Sequence, residues 1–347
     1  MISEAKIKLV FALGAFFILI GCQKKVEPSH IVGRTMGTTY SIKYYSTKTK
    51  PDIKQVNKEV NRLLIEVNRQ MSTYIPTSEI SRFNREIKSQ TAFPISDDFY
   101  FVLKKSLEIS RKTGGQFDPT IGPLVNLWGF GPNGVKKVPT EAQIKKAKSR
   151  VGFEKLSLDS QNKRISKSID NLYLDLSASA KGFGVDKISQ YLETLKIENY
   201  MVEIGGEVRT KGSKGEAPWR IAIEAPHPTD QSKPFQKILD LNEHAVATSG
   251  NYRNYFEKNG KKFGHTIDFR TGRPTEHTLA SVSVITKASC TEADALATAL
   301  MVMGPLKALK FAELNGIKAL FVYKLSGQTE GTFVEESTSH FKKEFRL

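Results

Sequence analysis

Along residues 51–70 the apolar side chains Ile53, Val56, Val60, Leu63, Leu64 and Val67 recur every three or four positions, the spacing of one helix face. The same rhythm predicts helices at 99–113, stopped by Gly114-Gly115, and at 139–151, where Thr140 and Gln143 form a capping box. Further helices are expected over 181–195, 292–304 and 305–315. Alternating apolar and polar residues predict strands at 39–45, 172–176, 200–204, 219–224, 245–248, 278–286 and 318–323, the last one closing the fold. A hairpin is expected around Gln161-Asn162, between 156–159 and 164–166. Helices and strands mix without a regular strand–helix–strand period. That points to an α+β fold of two lobes sharing a cleft.

The first 21 residues break this pattern. Lys6 and Lys8 precede an apolar run from Leu9 to Ile20, the layout of a secretory signal and short for a membrane span. The run ends in Leu19-Ile20-Gly21-Cys22, which resembles the lipobox of bacterial lipoproteins. Cys22 is therefore the expected lipidation site, 22–30 a polar tether and 31–347 the folded unit. The protein is expected to be exported and membrane-anchored on the periplasmic face of the inner or outer membrane, with Gln23 favouring the outer. An ordinary signal or an uncleaved anchor is the plainer alternative. The chain has two cysteines, so Cys290 is left without a partner. An exported chain without a disulfide rests on its core, and Cys290 is expected to be a buried small residue in it.

Net charge is +16, with Lys+Arg 52 against Asp+Glu 36. Such a balance would suit nucleic acid, but export and the scatter of lysines over amphipathic helices speak against it. A basic solvated surface, favourable to phosphorylated ligands, is the better account.

The most telling chemistry lies in TEADALATAL, residues 291–300. Asp294 and Thr298 are four apart in an alanine- and leucine-rich run, so a carboxylate and a hydroxyl stack on one helix face. Two hard oxygens on a rigid element suit Mg²⁺, which takes its remaining ligands from substrate phosphates. Other segments add to this. GRTMGTTY (33–40) enters a strand, and Tyr74 sits in a loop before Pro76, where a ring could stack on a planar ligand. GGQFDPTIGP (114–123) is constrained backbone beside aromatics. DLSASAKG (175–182) joins a strand to a helix that Lys181 opens, which suits phosphate binding or plain capping. EIGGEVR (203–209) and ATSGNYR (247–253) are small-residue turns, and His265 stands in HTID, residues 265–268.

In this order the segments TMGTTY, MSTY, FDPTIGPLVNLWGFG, DLSASAKG, EIGGEVR, HTIDFRTGRP and ADALATAL resemble the ApbE family of FAD:protein FMN transferases over about residues 31–325. The resemblance implies an ApbE-like, T-fold-related arrangement of mixed helices and sheets, in two lobes around an FAD cleft. It implies exported, often lipid-anchored enzymes that use Mg²⁺ to split FAD and transfer FMN to a threonine hydroxyl of an acceptor flavoprotein, releasing AMP. The acceptors carry a short threonine-containing motif. Carried onto this chain, the metal ligands are the Ala178 carbonyl, Asp294 and Thr298. FAD contacts are Met36, Tyr74, Gln116, Phe117, Asp118, Asp175, Lys181 and His265, with Gly205, Gly206 and Ser249 as positions of close backbone approach. His265 and Asp294 are the candidate catalytic residues, with His265 the candidate general base and an acidic residue the second choice. Ser177, Ser179 and Phe269 depart from the family pattern and bear on loop shape. FAD hydrolysis to FMN and AMP, or passive flavin binding by a lipoprotein, are the competing expectations.

Overall fold

The computed structural model describes residues 27–46, 51–86, 88–132, 134–226, 235–251, 254–287, 289–324 and 333–346. The expected signal segment and Cys22 lie outside them. Eight antiparallel strands form the central sheet. In spatial order they are Ser29–Thr35, Thr38–Tyr45, Asn199–Ile204, Glu207–Lys211, Ala245–Gly250, Leu279–Thr286, Lys318–Lys324 and Phe333–Ser337.

Period-two alternation divides their side chains between two faces. Ala247, Val282, Val284, Ala319 and Phe321 pack with the helix Cys290–Met303. Their neighbours Val246, Ile285 and Leu320 pack with Ile223, Leu239 and Leu241 of a hairpin, Trp219–Glu224 and Phe235–Leu241, and with Phe341 of the helix Ser339–Phe345. A second long helix, Ser177–Thr194, sets Val185, Ile188 and Leu192 against Tyr200, Val202 and Ile204. The helix Ile53–Met71 joins that cluster through Val56, Val60 and Leu64.

The helices Ser177–Thr194 and Cys290–Met303 meet backbone to backbone. A β-carbon added at Gly182 would lie 2.4 Å from the Cys290 carbonyl oxygen, so only glycine allows the crossing. Alanines at 293, 295, 297 and 299, all buried, keep the second helix thin. Asp186, on the first helix, ties the N-terminus of the second. Its carboxylate accepts from the Cys290 N–H at 3.0 Å, the Thr291 N–H at 2.9 Å, the Thr291 hydroxyl at 2.7 Å and the Ser289 hydroxyl at 3.1 Å. Arg209 reaches the same carboxylate at 3.1 Å. Cys290 is fully buried, as expected.

Two smaller assemblies complete the molecule. Helices Ile53–Met71 and Asp97–Lys112 bury Val67, Phe99 and Leu103 with Ile165 of the three-stranded sheet built from Phe93–Pro94, Arg164–Lys167 and Leu156–Asp159. Leu124, Trp128, Ile144, Phe263 and Ile267 form another cluster, in which Trp128 Nε1 donates to the Gly272 carbonyl at 2.8 Å.

The α+β reading holds, as do the hairpin at 156–167 and the Thr140/Gln143 capping box. Other expectations change. Residues 172–176 alternate as expected, with Leu172, Leu174 and Leu176 buried, but form no strand. Their backbone partners are the Asn84 side chain, which bonds both the N–H and the carbonyl of Leu174, and the Pro119 carbonyl, which accepts from Asp175. The following helix starts at Ser177 rather than Lys181. Ser29 and His30, assigned to the tether, open an edge strand, and the strand Phe333–Ser337 and helix Ser339–Phe345 follow the strand taken as the last. Both added strands lie at edges of the sheet and carry mixed polar sequences, which weakens their periodic signal.

Removing the Asp186 carboxylate leaves the buried Cys290 and Thr291 N–H groups without their acceptor, although Ser289 still caps the helix, and takes a contact from Arg209. Asp186→Ala is expected to lower unfolding stability by about 3–5 kcal/mol. Chemical denaturation checks this, and a loss below about 1 kcal/mol contradicts it.

Candidate active site

A cavity of about 730 Å³ opens where the two crossed helices meet the loops at 115–118 and 265–269. Ser177, Ala178 and Lys181 of the first helix border it, as do Asp294 and Thr298 of the second. Asp175 Oδ1 accepts from the Ser177 N–H at 2.9 Å and its hydroxyl at 2.6 Å, an Asx turn that starts the first helix. The first turn of an 18-residue helix therefore borders the cavity, its Ser177 N–H paired with Asp175 and the helix dipole directed there.

Asp294 and Thr298 sit one turn apart and both face the cavity, as their spacing requires. Asp294 is 3% exposed, and its Oδ2 accepts from the Gly182 N–H at 3.0 Å. The close helix crossing makes that bond possible. Thr298 Oγ1 lies 3.2 Å from Ser249 Oγ, on the neighbouring strand. Lys181 Nζ is 2.6 Å from Glu207 Oε1 and 3.8 Å from Asp294 Oδ1. Burial works against the lysine's charge, but the Asp294 and Glu207 carboxylates outweigh it and raise its pKa, so the ammonium stays charged. Burial pushes the Glu207 carboxyl up, and Lys181 opposes that rise.

These groups fit a hard divalent cation. The side-chain donors bordering the cavity are a carboxylate and a hydroxyl, both oxygen ligands, and Ala178 borders it beside them. Among the described residues, no cluster of three or more His, Cys, Asp or Glu could hold a metal. A sparse set of this kind suits Mg²⁺, which completes its shell with water and substrate phosphates, rather than a metal that needs a full protein cage.

His265 borders the same cavity. Its Nδ1 lies 3.1 Å from the Asn254 carbonyl, which can only accept. The proton therefore sits on Nδ1, and among the described residues the Nε2 lone pair has no hydrogen-bond partner. Burial, and then the Lys181 cation, depress its pKa against the pull of that carbonyl. A neutral imidazole with an available lone pair is the form a general base requires.

The ApbE family model matches residues 36–321. The chain belongs to the ApbE family. It is 46% identical over 333 residues to the FAD:protein FMN transferase of Vibrio cholerae, covering 95% of this chain and 97% of that one. It is 42% identical over 339 residues to the FAD:protein FMN transferase of Haemophilus influenzae, with 96% of each covered. Its fold matches the flavin transferase ApbE of Vibrio cholerae with a TM-score of 0.82 at 44% identity, covering 91% of this chain and 99% of that one. The Pseudomonas stutzeri flavinyl transferase ApbE, apo form, matches with a TM-score of 0.84 at 39% identity, covering 92% and 98%.

The other positions expected from the ApbE resemblance fare differently. Tyr74 stands at the rim, 63% exposed, its hydroxyl donating to the Phe130 carbonyl at 3.2 Å. Its ring is free to stack. Gln116 borders the cavity, and its Oε1 is buried with no hydrogen-bond partner among the described residues, an acceptor available to a ligand. Phe117 also borders it but belongs chiefly to the core. Asp118 borders it too, yet both its oxygens are engaged, Oδ1 by the Thr120 N–H and hydroxyl and Oδ2 by the Phe153 N–H. Its visible work is to brace the loop. Met36 does not border the cavity. Its side chain turns into the core over Gly184, where an added β-carbon would lie 3.1 Å from Met36 Cε. Gly205 and Gly206, with φ of 61° and 98°, form a two-residue hairpin turn between Ile204 and Glu207. Phe269, one of the departures, packs over Gly115 at the cavity wall.

Glu207 and Asp186 were not singled out in the sequence. The signal for Glu207 was present, because a charged residue directly after a glycine pair at a strand end is fixed in register by that turn. Asp186 had a weaker one, a lone acid in the apolar run GFGVDKIS.

The depressed imidazole sets a pH dependence. The native state favours neutral His265, so its contribution to stability is present above the unfolded value of about 6.5 and is lost as pH falls toward the lower native pKa. An NMR titration is expected to place the His265 midpoint below about 6.5. A midpoint at or above that value contradicts the assigned environment.

Proposed function

We propose that this chain is an FAD:protein FMN transferase that, with Mg²⁺, moves the FMN moiety of FAD onto a threonine hydroxyl of an acceptor flavoprotein and releases AMP. The observation that carries this reading is the convergence, in one cavity, of the Asp294–Thr298 pair, the Lys181 ammonium and a neutral His265. The names of its relatives, at identities up to 46% over nearly the whole chain, support the same reading.

The residues divide the work by charge. Tyr74 and the Gln116 carbonyl oxygen take the ring systems of FAD at the rim and wall. The opening turn of the helix Ser177–Thr194, where Ala178 borders the cavity, and the Lys181 ammonium face the diphosphate. Asp294, Thr298 and the Ala178 carbonyl would hold Mg²⁺, which neutralises phosphate charge and eases departure of AMP. His265 Nε2 accepts the proton of the acceptor hydroxyl as its oxygen bonds to the FMN phosphorus. The phosphoanhydride bond breaks, and its electron pair leaves with AMP. Positioning and electrostatics suffice for such a transfer, so an enzyme nucleophile is not needed. The fully buried Cys290, whose thiol pKa burial raises well above its ordinary value, takes no part.

Asp294→Asn is expected to cut FMN transfer to an acceptor peptide by at least about 100-fold, while FAD binding stays within about tenfold of the original. Mass spectrometry of the peptide and flavin fluorescence read the two quantities separately. Undiminished transfer rejects the metal site, and AMP release that ignores the acceptor favours hydrolysis of FAD instead.

A further inference from the structure

Glu207 stands at the cavity but has no part in the chemistry above. It is 2% exposed. Its Oε1 contacts the Lys181 ammonium at 2.6 Å, and its Oε2 is buried without a hydrogen-bond partner among the described residues. The same ammonium is 3.8 Å from Asp294 Oδ1, beyond hydrogen-bond reach. Asp294 Oδ2 is taken by the Gly182 N–H, so Oδ1 is the oxygen with capacity to spare. Two buried carboxylates share one lysine, and the one with no cation to bind has the closer contact.

The local fold explains this. The Gly205-Gly206 turn fixes the register of the hairpin, and the Gly206 N–H donates to Glu203 Oε1 at 2.7 Å. Period-two alternation then presents Glu207 and Arg209 to the helix Ser177–Thr194. There Glu207 meets Lys181 and Arg209 meets Asp186.

We propose that Glu207 is a positioning residue that holds the Lys181 ammonium off Asp294, leaving one Asp294 oxygen free for a divalent cation while the lysine remains in the cavity to face a phosphate. The proposal rests on the metal reading of Asp294. Without Glu207 the ammonium has one nearby carboxylate left, and in a poorly hydrated cavity a contact pair with Asp294 would compete directly with the cation. Charge alone does not achieve this arrangement, because the carboxylate has to reach Nζ. A shorter acid at 207 keeps the charge and loses the reach.

Mn²⁺ binding tests it, followed by electron paramagnetic resonance on the whole protein with saturating ADP as the diphosphate probe. E207Q and E207D are each expected to bind Mn²⁺ about tenfold or more weakly, the scale of losing a residue that orients a metal ligand. The double variant K181M/E207Q removes the competing ammonium and is expected to recover to within about threefold of the original protein. Thermal melts establish that the variants fold, and E207D carries the test if E207Q does not. Unaltered affinity in E207D reduces Glu207 to a point charge and overturns the proposal. Failure of the double variant to recover removes Lys181 as the competitor and overturns it equally. Unaltered Mn²⁺ binding in D294N overturns the metal reading itself, a result separable from the other two.

Discussion

The site depends on how closely two helices can cross. Gly182 and the Cys290 carbonyl are so near that no β-carbon fits between them, and that proximity lets the Gly182 N–H reach the Asp294 carboxylate. Asp186 then locks the crossing by capping the second helix from the first. With the crossing set, Asp294, Thr298 and Lys181 are delivered to one cavity by two rigid elements rather than by loops. The proposed grip on a small, hard cation needs this precision. Its helices are anchored on the central sheet, so core packing and site geometry depend on the same contacts.

The electrostatics follow from that frame. A strongly basic protein here encloses a local excess of acid, with Asp294 and Glu207 around a single lysine. The lysine is kept charged, the histidine is kept neutral, and the first turn of the helix Ser177–Thr194 borders the same cavity. Each condition serves the proposed transfer from a diphosphate, which calls for a cation site, an anion site and a proton acceptor in one enclosure.

Much of this could be read from the chain because local spacing maps directly onto geometry. Asp294 and Thr298, four apart in a helical run, had to share a face, and they do. The alternation at 172–176 correctly marked buried leucines but misled on the strand, since the partner of that backbone is the Asn84 side chain, far away in sequence. Met36 lies in a segment that carries the family resemblance, yet its side chain is directed into the core by tertiary packing that no local pattern records. Glu207 and Asp186 were passed over for a related reason. Their importance lies in what they meet across the helix–strand and helix–helix contacts, and a single sequence gives only faint signs of such meetings.

The central claim is that a divalent cation sits between the two crossed helices, on Asp294 and Thr298, against the diphosphate of the substrate. Anomalous diffraction from crystals soaked with Mn²⁺ and ADP measures this directly. One peak bonded to the Asp294 carboxylate and the Thr298 hydroxyl, with phosphate oxygens completing its shell, is the predicted result. A peak elsewhere, or ADP bound in the cavity with no metal at Asp294, would contradict the account.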